Sequence, residues 1–90
     1  MKDSSELYLT KDLGESAALL TGGCAIRDIQ WKNSEAYFVF GERKACQQMS
    51  QKYFFGGLEL PVRFFYENLR LIKRKLYSDQ RARGVNNNVF

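Results

Sequence analysis

The sequence predicts an α+β domain with two layers. Three short segments have the apolar patterns of β-strands, and three segments carry apolar residues at helical spacing, in the order β-α-β-β-α-α. At 90 residues the chain has room for a single core. We therefore expect a three-stranded, mainly antiparallel sheet with the helices gathered on one face. We place the domain at residues 1–78, followed by a flexible basic tail at 79–90.

The first strand and the first helix are marked by local signals. Leu7, Tyr8 and Leu9 form a short apolar run with strand character. Asp12 and Glu15 then have the spacing of a helical capping box, and Gly22–Gly23 provides the stop. The sequence does not indicate the position of this first strand in the sheet.

The next two strands form a hairpin. The segments AIRDIQW and AYFVF flank KNSE, which predicts a four-residue loop. Both faces of AYFVF are apolar, which favours a central strand. A bulge near Arg27–Asp28 would bring Ile26 into phase with Ile29.

The last two segments are helical. ERKACQQMSQKYFFGG predicts a helix that ends at Gly56–Gly57, and Pro61 suits the first turn of the next helix. This third helix, expected from Pro61 to Ser78, has the clearest periodicity in the chain. Its apolar stripe consists of Val62, Phe65, Leu69, Ile72 and Leu76, widened by Phe64 and Leu71.

Composition weighs against an enzyme and against a membrane protein. The two cysteines, Cys24 and Cys46, form no metal-binding motif, and with no histidine to act as a base we expect both to be buried and reduced. Nothing predicts a metal site or a cofactor. No apolar run reaches signal or membrane-spanning length, so we expect a cytoplasmic protein that does not bind membranes.

Positive charge is concentrated near the end of the chain. Residues 1–60 carry seven Lys/Arg against eight Asp/Glu, whereas residues 61–90 carry seven against Glu67 and Asp79. The stretch RLIKRKLYSDQRARG alone holds six basic residues, which could contact phosphates. A solvated helix face stabilised by the helix dipole is the alternative explanation. The predicted nucleic-acid-binding residues are Arg70, Lys73, Arg74, Lys75, Arg81 and Arg83.

Four aromatic residues are candidates for stacking on bases or for a protein interface. They are Trp31, Tyr37, Tyr53 and Tyr66. Bases of single strands stack on exposed rings beside basic side chains, although aromatic residues of a small domain also build its core.

Several segments resemble a family of small uncharacterised bacterial and phage domains. The resemblance rests on YLTKDLGESAALLTGG, on IRDIQW with AYFVFG, on KYFFGG and on ENLRLIKRKLYS, and it covers about residues 6–78. These motifs concern packing and turns, so the resemblance implies a fold and transfers no catalytic or binding residue. It also suggests a small accessory or counter-defence protein of a phage or mobile element.

We therefore expect a non-enzymatic accessory protein that binds nucleic acid or a ribonucleoprotein, DNA or RNA, through a basic C-terminal helix and tail, with low sequence specificity. The alternative is a protein-binding module: a phage-type inhibitor or adaptor of a host or defence protein, or a domain that dimerises through the apolar stripe of the third helix.

Overall fold

The computed structural model describes residues 6–82 and contains the six predicted elements in the predicted order. They are β1 (Tyr8–Thr10), α1 (Leu13–Thr21), β2 (Ile26–Lys32), β3 (Glu35–Phe40), α2 (Arg43–Phe55) and α3 (Val62–Ala82). The third helix continues past Ser78, so residues 79–82 of the expected tail are helical. The rest of that tail lies outside the described residues.

The sheet is antiparallel throughout and has the order β1-β3-β2. This confirms the central position of β3 and places the first strand beside it, with Tyr8 opposite Phe40. The predicted bulge is confirmed, because the register between β2 and β3 shifts between Ile26 and Asp28.

The hairpin turn is tighter than predicted. Lys32 pairs with Glu35, so only Asn33 and Ser34 form the turn. Both have positive φ angles, 53° and 68°, which are typical of a type I′ turn. This turn matches the twist of the two strands, and it extends each strand by one residue into the expected loop.

The core lies on one side of the sheet, which confirms the two-layer α+β architecture. Phe38 and Phe40 are buried and pack with residues from all three helices. The buried members contributed by the helices are Leu19 of α1, Cys46 of α2, and Ile72 and Leu76 of α3. Both cysteines are buried and free, as expected.

The start of α1 is built around a buried carboxylate. Asp12 accepts a hydrogen bond from the backbone N–H of Glu15 at 2.7 Å, as a capping residue should. The side chain of Glu15 does not complete the capping box. It is 4% exposed and accepts hydrogen bonds from the hydroxyls of Tyr8 and Thr10, each at 2.6 Å.

The end of α1 is a Schellman motif. The N–H of Gly23 donates to the carbonyl of Leu20 at 3.1 Å, and the N–H of Cys24 donates to that of Leu19 at 2.9 Å. Gly23 has a φ angle of 107°, which only glycine adopts without strain. The predicted stop is therefore confirmed in atomic detail.

The apolar stripe of α3 is buried along only part of its length. Ile72 and Leu76 lie in the core, whereas Val62 and Phe64 are 68% and 57% exposed. The reason is length, since α3 has 21 residues and α1, its main packing partner, has 9. The side-chain amide of Asn68 donates to Thr21 at the end of α1 at 3.0 Å, so α3 extends beyond α1 on the N-terminal side of Asn68.

Candidate nucleic-acid interface

Five of the six predicted basic residues lie exposed on α3. They are Arg70, Lys73, Arg74, Lys75 and Arg81, and we call them the basic face. Arg83 lies outside the described residues. The arrangement follows from the helical repeat of 3.6 residues, because Ile72, Leu76 and Gln80 point into the fold and leave the opposite side to solvent.

The members of the basic face do not share one direction. Arg70, Arg74 and Arg81 lie about opposite the buried Ile72 around the helix, by the 100° step per residue. Lys75 instead lies to one side, where it lines a cleft beside β2. From Arg70 to Arg81 the helix rises roughly 16 Å at 1.5 Å per residue, which is long enough to meet several phosphates of one strand.

Neither the Lys11–Glu35 nor the Arg63–Glu67 ion pair involves the basic face. Glu67 is 3.4 Å from Arg63, one turn before the basic face begins. Asp79 is half-buried and accepts a hydrogen bond from the indole N–H of Trp31 at 2.6 Å. Glu67 therefore pairs with Arg63, and Asp79 binds Trp31 while it also lines a cleft that Arg74 and Lys75 border.

Two exposed tyrosines lie on α3, Tyr77 beside these cations and Tyr66 one turn before Arg70. Tyr66 is 56% exposed and Tyr77 is 37% exposed. Tyr77 follows Lys73 by four residues and precedes Arg81 by four, so it lies on the same side of the helix. Sequence reasoning missed Tyr77, although this spacing could have identified it.

The other aromatic candidates lie elsewhere. Trp31 is half-buried on the helix-facing side of the sheet, packed against the core. Tyr37 is half-buried on the opposite side, with Lys32 Nζ 5.6 Å from its ring centroid. Tyr53 is half-buried on α2, where burial, followed by the charges of Asp12 and Glu15, raises its pKa. These three rings do not join the basic face in one surface.

A cleft beside the basic face was not predicted. It has a volume of about 530 Å³ and lies between the bulged part of β2 and the second half of α3. Arg27 lines it together with Arg74, Lys75 and Ser78, and Asp28 and Asp79 contribute two carboxylates. Arg27 lies at the bulge, between Ile26 and Asp28, and its proximity to α3 is not revealed by the spacing in sequence.

No protein-family model, curated protein or solved structure matches the chain. The family resemblance stays a prediction. Within residues 6–82, no helix has the length and apolar character needed to cross a membrane. In the same range, no three His, Cys, Asp or Glu side chains are grouped so that they could hold a metal ion.

Proposed function

We propose that this protein binds nucleic acid, alone or within a ribonucleoprotein, through the basic face of α3. One observation carries the proposal: five exposed Lys and Arg side chains follow one helix, outside the ion pair that Arg63 and Glu67 form on its first turns. Ordinary exposed helix faces mix both signs and form pairs between successive turns, as Arg63 and Glu67 do here.

The binding mechanism is counterion release. Lys and Arg side chains that contact phosphates displace condensed cations from the nucleic acid, and affinity then falls steeply as salt concentration rises. Phosphate contacts carry no sequence information. We therefore propose low sequence specificity and no chemical conversion of the ligand.

The exposed tyrosines favour a single-stranded ligand. Unpaired bases can stack on the ring of Tyr77 while the cations beside it hold the phosphates, an arrangement that a duplex with stacked bases does not permit. With the resemblance to small phage domains, this supports an accessory protein that acts in the cytoplasm on single-stranded RNA or DNA.

Protein binding is the second candidate function, and the apolar stripe of α3, not its basic face, favours it. Ile72 and Leu76 are buried in the core, so only part of the apolar stripe of α3 can contact a partner. Its N-terminal end is available, because Val62 and Phe64 are exposed there.

Fluorescence anisotropy with labelled single-stranded RNA, single-stranded DNA and duplex DNA tests the leading proposal. We expect binding that weakens by orders of magnitude between about 50 and 200 mM salt. Arg70→Gln combined with Arg74→Gln should weaken all three complexes and lower the salt slope by about 1.5, since each lost phosphate contact removes about 0.7–0.9.

Arg63→Gln is the matched control, because it removes an arginine of the same helix that is paired with Glu67. It should leave affinity nearly unchanged. Tyr77→Ala should weaken the single-stranded complexes more than the duplex complex. Failure to bind any of the three ligands at 50 mM salt would exclude the proposal.

A further inference from the structure

An apolar groove lies where α2 ends and α3 begins, away from the second half of α3. The chain crosses between the helices through Gly56 and Gly57, whose φ angles of 94° and 92° suit glycine. The groove has a volume of about 320 Å³. Its apolar lining consists of Tyr53, Leu58, Leu60, Val62, Phe65 and Tyr66, and we call it the aromatic groove.

The margin of the aromatic groove exposes large side chains. Phe55 is 88% exposed and precedes Gly56, which lines the groove. Phe54 is 53% exposed, and its ring centroid is 4.9 Å from that of Tyr53. Together with Val62 and Tyr66, these side chains expose roughly 500 Å² of apolar surface, near the upper limit for a monomeric protein.

The charges around the groove are balanced. Lys52 lines the groove, and Glu59, Arg63 and Glu67 are next to lining residues in the sequence. These four positions carry no net charge, although the whole chain carries +4. The basic face begins only at Arg70. A surface of mixed sign does not repel its own copy, and it offers no particular attraction to an acidic partner or to an anionic membrane.

We propose that a second copy of this chain docks on the aromatic groove and forms a two-fold dimer in which Phe55 of each copy enters the groove of the other. In a two-fold interface the same patch serves both partners, so each copy must present a projecting side chain and a recess that receives it. Phe55 and the aromatic groove are such a pair, and they lie side by side.

The available area agrees with this arrangement. A stable dimer of standard size buries about 800 Å² on each partner, with an apolar centre and a polar rim. The exposed apolar side chains supply roughly 500 Å² of that centre, and the four charged residues around them supply the rim. The proposal does not rest on nucleic-acid binding, and it leaves the basic face of each copy outside the interface.

Sedimentation equilibrium of the full chain without nucleic acid tests the dimer. We expect the average mass to rise from one chain to two between about 1 and 500 μM protein. Phe55→Ser should raise the dissociation constant of the dimer at least about tenfold, as truncation of a central aromatic residue does at interfaces. Phe55 is too exposed for this change to unfold the monomer, which far-UV circular dichroism verifies.

Leu9→Ser is the matched control, because Leu9 is an exposed apolar residue on β1. It should leave the dissociation constant unchanged. A chain that stays monomeric at the highest concentration would overturn the proposal. A dimer that Phe55→Ser does not weaken, or an assembly that grows beyond two copies, would overturn it as well.

Discussion

Glu15 should be the most sensitive charged residue of the fold. It is 4% exposed, and each of its carboxylate oxygens accepts a hydroxyl hydrogen bond at 2.6 Å, from Tyr8 and from Thr10. These distances are typical of charge-assisted O–H···O⁻ bonds. Replacement of Glu15 by alanine would leave both hydroxyls without their acceptor in a poorly hydrated place.

The expected loss follows from these contacts. Each buried polar group left without a partner costs about 1–3 kcal/mol, and the missing side chain adds a small cavity. Glu15→Ala should therefore lower the free energy of unfolding by about 3–5 kcal/mol, a large share of the 5–15 kcal/mol typical of a domain. Urea denaturation followed by far-UV circular dichroism measures the change.

Two further variants distinguish the effect of losing the hydrogen bonds of Glu15 from the effect of losing a glutamate side chain in general. Glu59→Ala removes an exposed glutamate and should change stability by less than about 0.5 kcal/mol. A triple variant, Tyr8→Phe with Thr10→Val and Glu15→Met, removes both hydroxyl donors and their acceptor together and should recover part of the loss. The recovery is incomplete because the backbone N–H of Asp12 then loses Thr10 Oγ1, its acceptor at 3.1 Å. A loss below about 1 kcal/mol for Glu15→Ala would refute the reasoning.

Two other predictions concern the hairpin turn and the buried thiol. Ser34→Gly should stabilise the fold by about 0.5–1 kcal/mol in urea denaturation, since Asn-Gly is the preferred pair for a type I′ turn and Ser34 has a φ angle of 68°; a loss of stability would contradict the turn assignment. Burial, followed by the neighbouring Cys24, raises the pKa of Cys46 from 9.0 to about 12. The stabilisation linked to this thiol proton is complete below pH 9 and is lost as the pH rises towards 12, because the unfolded chain releases the proton first. Cys46→Ala should therefore flatten the fall of stability above pH 9, and parallel pH profiles of the two proteins would argue against this linkage.

Local signals in the sequence predicted most of the fold. Asp12 and the Gly22–Gly23 stop gave the bounds of α1, and the alternation through Phe38 and Phe40 gave the central strand and its core face. These features depend on residues close together in the chain, whose conformational preferences act before tertiary contacts form. The bulge was also predictable, because Ile26 would otherwise point out of the core.

The missing parts depend on how elements pack against one another. Glu15 had the spacing of a capping residue, and its carboxylate binds Tyr8 and Thr10, seven and five positions earlier, because of the turn between β1 and α1. Val62 follows the apolar stripe of α3, yet it is exposed because α1 is too short to cover it.

The positive charge of the candidate site could be predicted from the sequence, whereas the contacts of the side chains around it could not. The exposed basic residues of α3 were identified from composition and helical spacing. The hydrogen bond between Trp31 and Asp79 joins residues 48 positions apart. No local pattern encodes such a contact.

The hydrogen bond between Trp31 and Asp79 also bears on the order in which the molecule assembles. The β2–β3 hairpin closes locally around a two-residue turn, whereas this bond closes a loop of 48 positions, and distant contacts form more slowly. Trp31 is the only tryptophan, so its emission in a stopped-flow refolding experiment should follow the docking of α3 and lag behind the earliest backbone signal. The basic face would then acquire its fixed position only at the end of folding, when the last helix settles against the hairpin.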